Sequence, residues 1–117
     1  MKKPFNKIQR LIIDAAAEKK ACDILVLDLR KRSNIADCFI ICSGNSKTQV
    51  QAIADSILEK VCGAKHKPVA TEGYSSGTWI VLDLVDVVIH VFHKDVRTHY
   101  DLERLWGDVP VIEAVGL

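Results

Sequence analysis

Two apolar runs dominate the second half of the chain, Trp79 to Leu82 and Val87 to Phe92, parted by the acidic join Asp83 to Asp86. Short runs rich in β-branched and aromatic residues around a turn predict a β-hairpin. Both runs are apolar at successive positions, so both faces need cover, which places the hairpin inside a sheet. His93 to Asp95 leads into a helix ending near Trp106, with Asp95 as N-cap and Gly107 and Pro110 closing it.

Upstream, Ile8, Leu11, Ile12, Ala15 and Ala16 recur at helical spacing and predict a helix over Phe5 to Lys20. Lys19 and Lys20 complement the dipole of its last turn, an effect Glu18 partly offsets. Ile24 to Leu29 is almost continuously apolar and too short for a helix, so it reads as an interior strand. After a polar loop, Arg30 to Ala36, a second strand runs from Asp37 to Cys42. Ser43 to Ser46 forms a strand-to-helix turn, in which Ser46 and Gln49 have capping-box spacing. Val50, Ile53, Ala54, Ile57, Leu58 and Val61 then mark a helix from Lys47 to Cys62, with Gly63 as its stop. A polar stretch to Ser76 holds one short strand around Pro68 to Thr71. Val109 to Leu117 reads as a loosely held tail. The order predicts an α/β (α+β) fold, a mixed sheet of about five strands with flanking helices, the helix after the second strand serving as a crossover.

At 117 residues the chain is a single domain, 1–117, able to bury a core without disulfides or a structural metal. A net charge of +1 provides no global field for nucleic acid, so direct RNA contact is expected to be minor. No signal-peptide pattern or run long enough to cross a bilayer occurs, which predicts a cytoplasmic protein without membrane association. Cys22, Cys38, Cys42 and Cys62 lack CxxC spacing, which argues against a zinc site. Cys38 and Cys42 are roughly 13 Å apart along a strand, beyond disulfide reach. Reduced, buried thiols are the expectation.

Candidate chemistry is sparse. The Ser-Gly-Asn-Ser turn before a helix resembles an anion site, but lacks the Walker and GxGxxG patterns. The same turn opens many nucleotidyltransferases, which hold Mg²⁺ between carboxylates at i and i+2 of one strand. Here Asp83 and Asp86 stand at odd spacing across a turn, which opposes a shared metal site. His90, His93 and His99 have no nucleophile beside them in any known motif, and His90 and His93 fall on opposite strand faces. No catalytic residue, metal or cofactor is therefore assigned. Trp79, Phe92, Tyr100 and Trp106 come from adjoining elements and admit two readings: core packing, or an interface anchored by aromatics. Asp83, Asp86, Asp101 and Glu103 would give such an interface an acidic rim suited to a basic partner.

The stretch DILVLDLRKRSNIADCFIICSGNSKTQVQAIAD, Glu72-Gly73, and the stretch from Trp79 to Trp106 together resemble the ribosomal silencing factor family, also called Iojap-related or RsfS. The resemblance spans roughly Ile8 to Trp106. It implies a fold related to nucleotidyltransferases but without their catalytic carboxylates, and no enzymatic activity. It also implies a translational repressor that binds the large ribosomal subunit through its universal protein L-fourteen, blocks subunit joining and slows translation when nutrients are short. A homodimer in the free state is implied as well. The family's binding surface maps onto Trp79; onto Asp86, Val88 and His90 of the following strand; and onto Tyr100, Leu102 and Trp106 of the helix, and Phe92 of the aromatic cluster is expected to join them in binding a partner. The alternative reading is a small Mg-dependent nucleotidyltransferase-like enzyme. One departure is visible: Val85 stands where the family usually has glycine. A β-branched residue resists positive φ, which predicts a different turn type at Leu84-Val85, or a shift at the tip, with the strands intact.

Overall fold

The face of the long helix that carries Val50, Ile53, Ala54, Ile57 and Val61 is sealed against a sheet, each of these residues at most 1% exposed. Each large aliphatic side chain so buried contributes about 1.5–3 kcal/mol. The computed structural model describes residues 7–29 and 36–96, together with the backbone of 111–113. The elements are α1 (Lys7–Glu18), β1 (Cys22–Asp28), β2 (Cys38–Gly44), α2 (Lys47–Gly63), β3 (Ala70–Glu72), β4 (Trp79–Asp83), β5 (Val87–His93) and β6 (Val111–Glu113). A further helical segment begins at residues 94–96.

Among the described residues the sheet is six-stranded, in the order β3-β4-β5-β2-β1-β6. Only β2 and β5 run parallel; the other neighbours are antiparallel. The α2 crossover between β2 and β5 makes that parallel pair possible. The mixed sheet with flanking helices therefore stands as expected, with one short strand more. Val111–Glu113, in the segment expected to be a loose tail, pairs with Leu25, Val26 and Leu27. That pairing makes β1 an interior strand, in keeping with its apolar run.

Alternation sorts the strand residues into two layers. Ile24, Val26, Cys38, Ile40, Cys42, Ile80, Leu82, Val87, Ile89 and Val91 meet α1 and α2 in the main core. Leu27, Leu29, Ile41 and Phe92 form a second cluster on the opposite face, with Phe39, Trp79 and Val96 packed against it. The Ser56 hydroxyl donates to the Ala15 carbonyl at 3.0 Å and ties α2 to α1 in a buried position.

Helix ends differ in detail from the pattern-based expectation. Ser46 accepts from the Gln49 N–H at 3.1 Å, as a capping box requires. The Gln49 side chain, however, accepts from Asn45 N–H and donates to the Lys19 and Lys20 carbonyls, each at 3.1 Å, so one residue joins both helix ends. Gly63 is not the stop: α2 runs through it, and Lys65 takes the left-handed conformation, φ 67. Paired bonds from Lys65 N–H to Cys62 and His66 N–H to Val61 complete a Schellman motif. α1 ends the same way, at Lys20, φ 61, so Lys19 and Lys20 cap the helix from beyond its last turn. Asp95 is not the N-cap of the segment after β5; His93 Nδ1 accepts from the Asp95 N–H at 3.3 Å and takes that place. Gly107 and Pro110 lie outside the described residues. Among the cysteines, Cys38 and Cys42 are buried as expected, but Cys22 is half-buried and Cys62 exposed. No described helix is long and apolar enough to cross a membrane.

A candidate partner-binding face

On the sheet face turned away from α1 and α2, the register sets Trp79 opposite Phe92, Val81 opposite His90 and Asp83 opposite Val88. β2 adds Phe39 beside Val88 and Ile41 beside His90. Cross-strand neighbours on one face are within reach of aromatic side chains, and here they close into a cluster. Trp79 stacks on Phe92, with ring centres 5.0 Å apart and planes inclined by 25°. Phe39 meets His90 edge-to-face at 4.7 Å. The Trp79 Nε1–H donates to His90 Nδ1 at 3.0 Å.

The cluster is graded in depth. Phe92 is 1% exposed, His90 7% and Val88 8%, so these three form a floor rather than open surface. Trp79, Phe39 and Val81, their cross-strand neighbours, are half-buried. Burial lowers the His90 pKa from 6.5 to about 4, and the ring is neutral at physiological pH. Its Nε2 is sealed from solvent and has no hydrogen-bond partner among the described residues.

Backbone geometry fixes where Trp79 stands. Gly73, just beyond β3, has φ 79, and a Cβ there would lie 2.0 Å from the Trp79 carbonyl oxygen. Only glycine allows β3 to turn away so close to the first residue of β4. At the far end of the hairpin, the Asp83 carboxylate accepts from the Val85 N–H at 2.8 Å and the Leu84 carbonyl from the Asp86 N–H at 3.0 Å. These bonds form a γ-turn with Val85 at φ 74. The valine thus adopts the positive φ it was expected to resist, while both strands persist.

Of the eight residues expected to bind a partner, Trp79, His90 and Phe92 come together, with Val88 continuing their row. Asp86 is exposed at the tip, about 20 Å along the strand from Trp79 at ~3.3 Å per residue. Tyr100, Leu102 and Trp106 lie outside the described residues, as do His99, Asp101 and Glu103. Phe39 went unassigned in the sequence, although strand alternation with Ile41 places it on this face. Asp83 and Asp86 flank the turn, with the Asp83 carboxylate engaged by the backbone. No group of three His, Cys, Asp or Glu side chains suited to a metal occurs among the described residues.

Fold and site define a small mixed-sheet protein whose candidate site is an aromatic face over a sealed floor. The family described as "Ribosomal silencing factor during starvation" matches residues 2–117. The ribosomal silencing factor RsfS of Halalkalibacterium halodurans is 46% identical over 113 residues, 96% of each chain. That of Bacillus subtilis is 47% identical over 93% of this chain and 94% of its own. The chloroplastic protein Iojap of Zea mays is 35% identical over 85% of this chain and 43% of its own. A crystal structure of a protein from Chromobacterium violaceum superposes with a TM-score of 0.84 at 39% identity, over 94% of this chain and 92% of that one. The chain belongs to the ribosomal silencing factor family.

Proposed function

We propose that the protein is a translational repressor that docks on the large ribosomal subunit through its universal protein L-fourteen and bars the small subunit by occupying its place. It acts by occupancy, with no bond made or broken, slows translation under nutrient limitation, works in the cytoplasm, and is a homodimer when free. One observation carries the reading: a half-buried tryptophan held over a buried aromatic floor, the arrangement of an interface anchor. Family membership supplies the ribosome. Asp86 at the hairpin tip extends the face with acidic charge suited to a basic partner. Against the nucleotidyltransferase reading, Asp83 and Asp86 flank a turn and one Asp83 carboxylate oxygen accepts from the Val85 N–H.

Sedimentation with isolated large and small subunits tests the proposal. Wild type travels with large subunits only, and Trp79→Ala weakens that association by 2 kcal/mol or more, at least about thirtyfold, as truncating an anchor does. Equal binding by the variant removes Trp79 from the interface. Binding to both subunits, or to neither, removes the ribosome-docking mechanism.

A further inference from the structure

His90 is buried, and one of its ring nitrogens is unserved among the described residues. An indole N–H only donates, so the bond from Trp79 makes His90 Nδ1 an acceptor and places the ring proton on Nε2. That Nε2–H is buried without an acceptor among the described residues, which destabilises the fold. A leucine would fill the same volume without that penalty. Besides the aromatic ring that Phe39 meets edge-on, the histidine supplies an acceptor aimed at the Trp79 edge, 3.0 Å away. Stacking on Phe92 sets the plane of the indole, yet a stacked ring can still turn within its plane or flip. The hydrogen bond adds an in-plane restraint that stacking does not provide.

We propose that His90 is a positioning residue that fixes the Trp79 indole in the orientation it presents to the docking partner. This rests on the ribosome-binding reading above. An anchor ordered before docking spares the complex the entropy of ordering it. Loss of the acceptor therefore weakens binding by about three- to tenfold, while leaving the fold intact.

The test uses His90→Leu, which removes the acceptor, and His90→Asn, whose side-chain oxygen can take the place of Nδ1. Two quantities are measured on each full-length variant. One is hydrogen-exchange protection of the Trp79 indole N–H by NMR, its signal assigned through Trp79→Phe. The other is affinity for isolated large subunits. His90→Leu loses indole protection and binds three- to tenfold more weakly; His90→Asn restores both. Unchanged protection in His90→Leu overturns the proposal, as does unchanged affinity while Trp79→Ala still weakens binding. Equal losses in His90→Leu and His90→Asn point to packing rather than the acceptor, and also overturn it. If wild type itself fails to bind large subunits, the ribosome reading falls, and indole protection alone decides whether His90 positions Trp79.

Discussion

A neutral histidine in an aromatic floor leaves a signature in the dependence of stability on pH. Burial holds the folded-state pKa of His90 near 4, against 6.5 when unperturbed. Between those values the unfolded chain takes up a proton that the folded chain refuses. Stability contributed through His90 therefore rises with pH across that window and is level above it. Protonation linked to His90 removes about 3 kcal/mol once pH has dropped below both values. Urea denaturation from neutral pH down to about pH 4 checks this. Wild type should lose about 3 kcal/mol more than His90→Leu over the range; parallel curves would show that His90 is solvated in the folded state. Local sequence places His90 on a β-strand without showing what its ring nitrogens meet. The structure supplies the answer: Nδ1 accepts from Trp79, while Nε2 has no partner among the described residues; Phe92, on the same strand face, and Phe39, from a strand remote in sequence, are rings that offer no acceptor, and only Phe92 follows from local alternation.

The β4–β5 hairpin was legible because its apolar runs have the length and composition of strands, and a register follows once the turn is located. The turn's geometry was not legible. Valine's intrinsic resistance to positive φ argued for a changed turn, but three contacts hold the tip. Asp83 grips the Val85 N–H, Leu84 N–H reaches the Val87 carbonyl, and the Asp86 carbonyl accepts from both Asp37 and Cys38 at the start of β2. These bonds bind the tip to a strand remote in sequence, and tertiary context overrides the local preference. The strain remains: a left-handed L-residue costs about 1–2 kcal/mol. Glycine relieves it but loses more chain entropy on folding, roughly 0.5–1 kcal/mol. Val85→Gly should therefore stabilise the protein by about 1 kcal/mol, seen as a higher urea midpoint at unchanged m-value. A lower midpoint would mean that the exposed Val85 side chain makes contacts worth more than the strain. Helix ends show the same division. Apolar spacing located α1 and α2 within a few residues, whereas the choice of Lys20 and Lys65 over Gly63 for the left-handed caps depends on how the chain must leave each helix.

For the whole molecule, the mode of docking decides how binding answers to salt. The net charge of +1 gives no long-range field, and the candidate face combines aromatic surface near Trp79 with an acidic hairpin tip. Docking on a protein through such a face gains mostly from apolar burial, which salt does not screen, and a little from rim charges, which it does. A protein gripping 6–10 phosphates of RNA would lose about 10³–10⁵ in affinity between 50 and 200 mM salt. Affinity for large subunits, measured by sedimentation across that range, should fall by less than about tenfold, and the residual dependence should diminish in Asp86→Asn. A steep decline would transfer the contact from ribosomal protein to ribosomal RNA, and with it from the aromatic face to lysine-bearing surfaces such as the Lys19–Lys20 end of α1. The expectation of minor RNA contact came from charge balance alone. What the fold adds is position: the half-buried tryptophan and the exposed Asp86 belong to one hairpin, so a single protein surface spanning about 20 Å can engage both.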